Sequence, residues 1–268
     1  MTGRQLARFA DKAAVAAAVV ARLGDVVTDA VAERGVAHLV LTGGSMGEAV
    51  MKALTTPGAA AAPSDSPVDS RIEWSAVHLW WGDERFLPLG HPDRNDSQAD
   101  GAGLGRLFAL GLEPTRVHRL PGPDDPVTGP DLPAAAAAYA DQLRRAAGNA
   151  ALPGFDVVML GVGPDGHVAS LFPGHPSTAD AGSASATVVP VEGSPKAPPR
   201  RLSMSLPALC SGRQVWLLVA GADKAQAVRR AQQTSDAHRC PAGAVHGRQA
   251  TIWWLDDEAA GDLGTAPA

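Results

Sequence analysis

The residues best suited to chemistry in this chain are Asp165 and His167, two positions apart in the segment 161–167 (GVGPDGH). An imidazole changes charge near neutral pH, and a neighbouring carboxylate can orient it, so the pair suits proton transfer to or from a substrate. Glycines at 161, 163 and 166 allow a sharp turn and a close approach to a ligand. Read alone, DGH is equally compatible with a surface turn. The same glycines also spell a dinucleotide-type GxGxxG. That reading fares poorly, because Pro164 removes a backbone donor and Asp165 puts a negative charge where a pyrophosphate would lie.

Anion-binding groups recur at other points. Thr42, Gly43, Gly44 and Ser45 join an apolar stretch to a helical one, an arrangement that aims free backbone N–H groups at an anion. The plainer alternative is a tight turn with Ser45 as helix cap; no GK[ST] follows, so a Walker loop is excluded. In the cluster 82–85 (GDER), Arg85 can hold a phosphate or polarise a carbonyl while Asp83 and Glu84 orient it; a solvated turn is the alternative. The stretch 194–201 (SPKAPPRR) sets Lys196, Arg200 and Arg201 among stiff prolines, facing a phosphate or simply solvating a linker. Lys224 falls in the first turn of a helix, against the dipole, and a bound anion explains it more easily than stability does.

These groups must be carried by strands and helices. Short β-branched runs at 36–41, 77–81, 117–120, 155–160, 187–191, 201–206, 214–219 and 251–255 read as strands. The DGH loop follows the run 155–160 and so lies past a strand's carboxyl end, where open α/β sheets bind ligands. Helical stretches fall at 46–54, at 132–147 behind Asp131, and from 224 through 231. Arg4, Arg8 and Lys12 before the Ala/Val run 13–21 superficially resemble a signal peptide. Asp11 among them and continued helical sequence to Ala32 favour a first helix. Residues 57–70, 91–100 and 177–186 have neither period and read as loops, with 57–70 and 261–268 expected to be mobile. Alternating strands and helices predict one α/β domain over 1–268: an open, largely parallel twisted sheet with helices on both faces, without internal repeat.

The chain has 268 residues, 45% of them hydrophobic and 19% charged, as in an ordinary globular protein with a well-buried core. A net charge of −5 argues against a nucleic-acid binder, and no run approaches the ~18 apolar residues of a membrane span. Cys210 and Cys240 are too few and too scattered for a zinc site or a disulfide framework, which fits a cytoplasmic protein.

Five blocks together are more specific than any one. LTGGS at 41–45, WGDERFLP at 81–88, GVGPDGHVASLFPG at 161–174, KAPPRRLS at 196–203 and GADKA at 221–225 resemble the 6-phosphogluconolactonases, in family order and across nearly the whole chain. These enzymes belong to the wider superfamily of glucosamine-6-phosphate deaminase, and the resemblance implies its Rossmann-like, NagB-type fold. Deaminases carry a glutamate five residues after the motif's histidine, in DGHIAFNEP; here that position is Phe172. The resemblance therefore implies hydrolysis of 6-phospho-D-glucono-1,5-lactone in the oxidative pentose phosphate pathway, with His167 as base, Asp165 orienting it or the water, and neither metal nor organic cofactor. It also implies substrate or phosphate contacts from Gly43, Gly44, Ser45, Asp83, Arg85, Asn95, Gly163, Lys196, Arg201 and Lys224. The expected partner is the sugar-phosphate lactone alone, with no nucleic acid or membrane, and the expected state is a monomer or homodimer. Two departures stand out: Arg94-Asn95 replaces Ser-Asn, so that Arg94 reads as a surface residue and the role of Asn95 stays open, and Ala197 replaces a proline. A deaminase or isomerase, a non-catalytic sugar-phosphate sensor and, more distantly, an NAD(P) enzyme remain the competing readings.

Overall fold

The computed structural model of the protein describes residues 3–56, 71–148, 150–180 and 186–263. The stretch 57–70 and the last five residues, expected to be mobile, lie outside the described residues.

Seven strands form a parallel sheet: β1 (Arg4–Phe9), β2 (Ala37–Leu41), β3 (Val77–Trp81), β5 (Val117–His118), β6 (Val157–Gly161), β9 (Gln214–Val219) and β10 (Ala250–Asp256). Their order across the sheet is β1-β10-β9-β6-β2-β3-β5, every neighbouring pair being parallel. The central strands are buried except at one end of β6 and of β9, which is why they appear in the sequence as unbroken apolar runs rather than as alternating ones. Helix α1 (Lys12–Arg34) starts where the Asp11 carboxylate accepts the Ala14 N–H at 2.8 Å, and ends where Gly35 turns into the left-handed region. Val15, Val19, Val20, Leu23, Val26, Val27 and Ala30 recur at helical spacing and bury one face of α1 against α2 (Gly44–Thr55) and the sheet.

Two features depart from expectation. The basic amino-terminal segment is not the start of the first helix; it is the edge strand β1, in register with β10 from Arg4↔Thr251 to Phe9↔Asp256. Arg4 donates to the carbonyls of Ala231 and Gly243, and Arg8 pairs with Asp257. Secondly, β4 (Asp83–Arg85), β7 (Val188–Val191) and β8 (Arg201–Met204) leave the main sheet and form a three-stranded antiparallel one. Gly82 is the corner: its N–H donates to Leu41 O in the main sheet, while its carbonyl accepts the Met204 N–H at 2.7 Å. Helix α4 (Leu132–Ala146), capped by the Asp131 side chain, packs on this smaller sheet.

Candidate active site

From β2 the chain moves outward to β3 and β5, then returns to the other side of β2 and builds β6, β9 and β10. The switch in direction falls between β2 and β6, so their carboxyl ends border a crevice not covered by a crossover. The Thr42 hydroxyl ties the two ends by accepting the Gly161 N–H at 3.0 Å. A cavity of ≈ 210 Å³ opens there, lined among others by Gly43, Gly44, Ser45, Asp83, Arg85, Asn95, Gly163, His167, Lys196, Arg201 and Lys224. Every residue predicted for the site lines it except Asp165, which is bonded to His167.

Of the two placements left open for Asp165, the structure adopts the imidazole: its carboxylate accepts from His167 Nδ1. That bond assigns the neutral tautomer with its proton on Nδ1 and leaves Nε2, which has no partner among the described residues, on a side chain only 16% exposed. Burial raises the Asp165 carboxyl, but the hydrogen bond and charge of His167, with Lys196 beside them, outweigh it and hold Asp165 well below the usual carboxylate range. The turn itself is fixed by Gly163 N–H to His167 O at 3.0 Å and Gly166 N–H to Gly163 O at 2.8 Å. Gly163 is needed for space: a Cβ there would collide with the His167 imidazole and the Asp165 carboxylate. Ala169, on the cavity wall, is a non-glycine residue in the left-handed region, at φ 50°.

Across the crevice, α2 presents its amino terminus. Gly43 is the cap, and a Cβ on it would run into the Asn95 amide. Gly44, at φ 69°, gives its N–H to Gln98 Oε1 at 3.2 Å, leaving the N–H groups of Ser45 and Met46 as the first-turn donors without an intrahelical acceptor. Ser45 is therefore a first-turn residue, not the cap.

The cations come from the small sheet and the loop before it. The β4–β8 register sets Arg85 opposite Arg201, two like charges on directly paired positions. Such a pair is unfavourable unless something negative lies between or beside it. Arg201 gives Nε to Pro198 O at 3.1 Å and Nη2 to the carbonyls of Lys196 and Ala197, so its first task is to hold the loop carrying Lys196. Lys196 Nζ lies 3.9 Å from Asp165 Oδ1, beside the His–Asp pair. Burial holds its ammonium below the ordinary lysine range, with Asp165 opposing. Lys224, whose place against the helix dipole suggested a bound anion, has a carboxylate of its own: its Nζ bonds Asp223 Oδ2 at 2.7 Å. Arg200 points away, donating to Pro130 O and stacking on Phe86.

Arg94 proves to be structural, and Asn95, on the cavity wall, is held in place by the same junction. The stretch expected as a loop contains helix α3 (Asn95–Gly101), which orients Asn95 so that its Nδ2 donates to Asp83 O at 2.9 Å. Asp83 is further held by Ser170 Oγ at 2.6 Å. Arg94, expected on the surface, is 0% exposed. It grips Asp96 with two parallel bonds of 2.9 and 2.8 Å and donates to the carbonyls of Leu87 and Leu120. Beside it the Glu84 carboxylate accepts the N–H groups of Arg85, Asn95 and Asp96, strapping β4 to α3. Burial pushes the Glu84 carboxyl up; Arg94 opposes this and the Asp96 charge adds to it. The cluster 82–85 is thus a buried junction, not a solvated turn. Sequence reasoning missed Gln98, Ser170 and the Glu84–Arg94–Asp96 network, because their partners are distant in the chain and carry no periodic signal.

Fold and site together define a class: a parallel α/β protein with a hydrogen-bonded His–Asp pair beside a cavity lined by cations at the sheet's switch point. The chain belongs to the family described as glucosamine-6-phosphate isomerases/6-phosphogluconolactonase, whose model matches residues 10–254. A curated 6-phosphogluconolactonase of Streptomyces coelicolor is 47% identical over 262 residues, covering 97% of this chain and 94% of its own length. The 6-phosphogluconolactonase of Mycobacterium tuberculosis is 42% identical over 257 residues, covering 95% and 96%. Among solved structures, the devB protein superposes with a TM-score of 0.79 at 27% identity, covering 98% of this chain and 100% of its own. No helix among the described residues is long and apolar enough to cross a membrane.

Proposed function

We propose that this chain hydrolyses 6-phospho-D-glucono-1,5-lactone to 6-phospho-D-gluconate, with His167 as general base. The observation that carries the reading is the His167–Asp165 pair facing the opposed Arg85–Arg201 pair across one cavity. The substrate has the same two ends: a carbonyl that needs an activated water and a phosphate that needs cations.

His167 Nε2 takes a proton from water as the oxygen attacks the lactone C1, forming a tetrahedral oxyanion. Asp165 keeps the ring in place and stabilises the imidazolium. When the intermediate collapses, the C1–ring oxygen bond breaks and the Nε2 proton passes to that oxygen, giving a free hydroxyl and a carboxylic acid, which releases its remaining proton to solvent to become the carboxylate. Lys196, beside the pair, is placed to stabilise the oxyanion. Arg85 and Arg201, with Lys224 and the first-turn N–H groups of α2, compensate the phosphate. A positioned acid–base group of this kind contributes about 10²–10⁴-fold.

The test is hydrolysis of freshly generated 6-phosphogluconolactone, above its spontaneous rate, by wild type and His167→Ala, with glucosamine-6-phosphate as control substrate. The expected result is acceleration by wild type that His167→Ala loses by about 10²–10⁴-fold. Equal activity of the two proteins would remove His167 as base. Ammonia release from the control, with no lactone opening, would replace the lactonase by a deaminase.

A further inference from the structure

Phe172 takes no part in the chemistry described above, yet it touches the base. Its ring lies 4.5 Å from the His167 imidazole, centroid to centroid, at an interplanar angle of 36°. The Arg201 guanidinium lies over the same ring at 5.7 Å, and His175 meets it edge-on at 6.4 Å. The phenyl ring is fully buried. Its backbone is pinned as well, since the Phe172 carbonyl accepts Thr178 Oγ1 at 2.6 Å and the His175 N–H at 3.2 Å. The aromatic face is thus held rigidly against the imidazole, whose Nδ1 edge is already fixed by Asp165.

We infer that Phe172 is the positioning residue for the base: it sets the plane of the His167 ring and stabilises the imidazolium formed during the reaction. A neutral imidazole gains only packing from this contact, whereas a cation against an aromatic face gains electrostatically from the ring quadrupole. The contact therefore strengthens as the proton arrives, which is the condition for lowering a barrier rather than merely binding. Arg201 on the same ring shares this environment, so one side chain aligns the base and the cation that holds the Lys196 loop. This inference deepens the lactonase reading and rests on it.

The charged and titratable groups facing His167 are Asp165 on its own loop, Lys196 and Arg201, Arg85 and Asp83 across the cavity, and Lys224 with Asp223. Arg230 also approaches Gly166 from behind, and His175 shares the phenyl ring. Arg201 and His175 also rest on the ring, so Phe172→Tyr, which keeps an aromatic face for all three neighbours, is the reference against which Phe172→Leu is read.

The experiment compares wild type, Phe172→Leu and Phe172→Tyr by two readouts: the pH dependence of kcat and KM on the lactone, and NMR titration of the His167 ring protons. Losing an aromatic face from a partly buried cation should move the His167 midpoint in Phe172→Leu down by about half a pH unit, roughly threefold in proton affinity. The kcat should fall with KM nearly constant, and Phe172→Tyr, which keeps the ring, should stay at the wild-type midpoint. The inference is overturned if Phe172→Leu titrates at or above the wild-type midpoint, or if both variants shift alike. Should Phe172→Leu lose its folded spectrum, Phe172→Met, an unbranched apolar filler, takes its place under the same criteria. The NMR midpoint needs no turnover, so a failed lactonase assay and a failed role for Phe172 give different results.

Discussion

Far from the cavity, three imidazoles meet across β2, β3 and β5, and their hydrogen bonds require all three to be neutral. Arg116 Nη1, which can only donate, points at His78 Nε2 at 3.1 Å, so the His78 proton is on Nδ1 and is given to His118 Nε2 at 2.9 Å. Trp80 Nε1 donates to His38 Nδ1 at 3.2 Å while its indole stacks on His118 at 3.6 Å. Burial first, then the neighbouring His78, His118, Arg116 and Arg34 charges, pushes His38 from 6.5 down to about 3; burial and His78 push His118 down to about 4. An imidazole whose folded value is depressed leaves the unfolded chain holding the extra proton. Its contribution to stability is therefore intact above about pH 6.5 and is lost as the pH falls towards the folded value. At about pH 5 this amounts to ~2 kcal/mol for His38 and, discounted for partial exposure, ~1 kcal/mol for His118. At roughly 2–4 °C per kcal/mol for a chain of this size, the stack should lower Tm by about 6–12 °C between about pH 7.5 and 5. His38→Asn keeps an acceptor where Nδ1 stood but cannot titrate. Thermal melts across that range should show the variant losing about 4–8 °C less than wild type. Buried Glu84 and Asp156, held above the usual carboxylate range chiefly by burial, act in the opposite direction but equally in both proteins. Identical pH slopes for the two proteins would refute the reasoning.

Two further outcomes follow from the site. Gly163→Ala drives a Cβ into the His167 ring and the Asp165 carboxylate, so kcat should drop about 100-fold, as expected for a displacement near 1 Å, with little change in the melting curve; wild-type kcat would refute this. Arg94→Met leaves Glu84 and Asp96 facing each other in the interior, at a cost of about 3–5 kcal/mol read from urea unfolding, and adding Asp96→Asn should restore part of it. A loss below about 1 kcal/mol would place Arg94 outside the buried network.

The parallel sheet was legible because its central strands are buried on both faces, which removes polar positions from runs such as 214–219 and makes them stand out against their surroundings. The edge strand β1 was not. Only one side of it is paired and Leu6 is exposed, so its apolar content is diluted, while the long helix beginning at Lys12 dominates the local pattern. The antiparallel sheet was hidden for another reason: β4 is three residues long, and its partner β8 lies more than a hundred residues further on. No local period reports such a pairing.

The site divides along the same line. Loops at strand ends announce themselves, because glycine beside Asp, His or Ser has few uses other than a turn or a ligand, and the Asp165–His167 and Gly43–Ser45 segments were found for that reason. What holds those loops in place did not announce itself. Arg94 looked like a surface residue because a charged side chain in a polar stretch usually is one. Its burial depends on Asp96, Glu84 and two carbonyls converging from separate segments, a condition visible only in three dimensions. Phe172 stood out only as the residue in place of the deaminase glutamate. In the structure it is core, and its ring lies against the His167 imidazole, so the same burial that stabilises the fold also holds that imidazole in place. Sequence thus exposes the groups that line the cavity, whose types are unusual for their setting. It conceals the groups that aim them, because a buried phenyl ring or ion pair looks the same whether or not a catalytic residue rests on it.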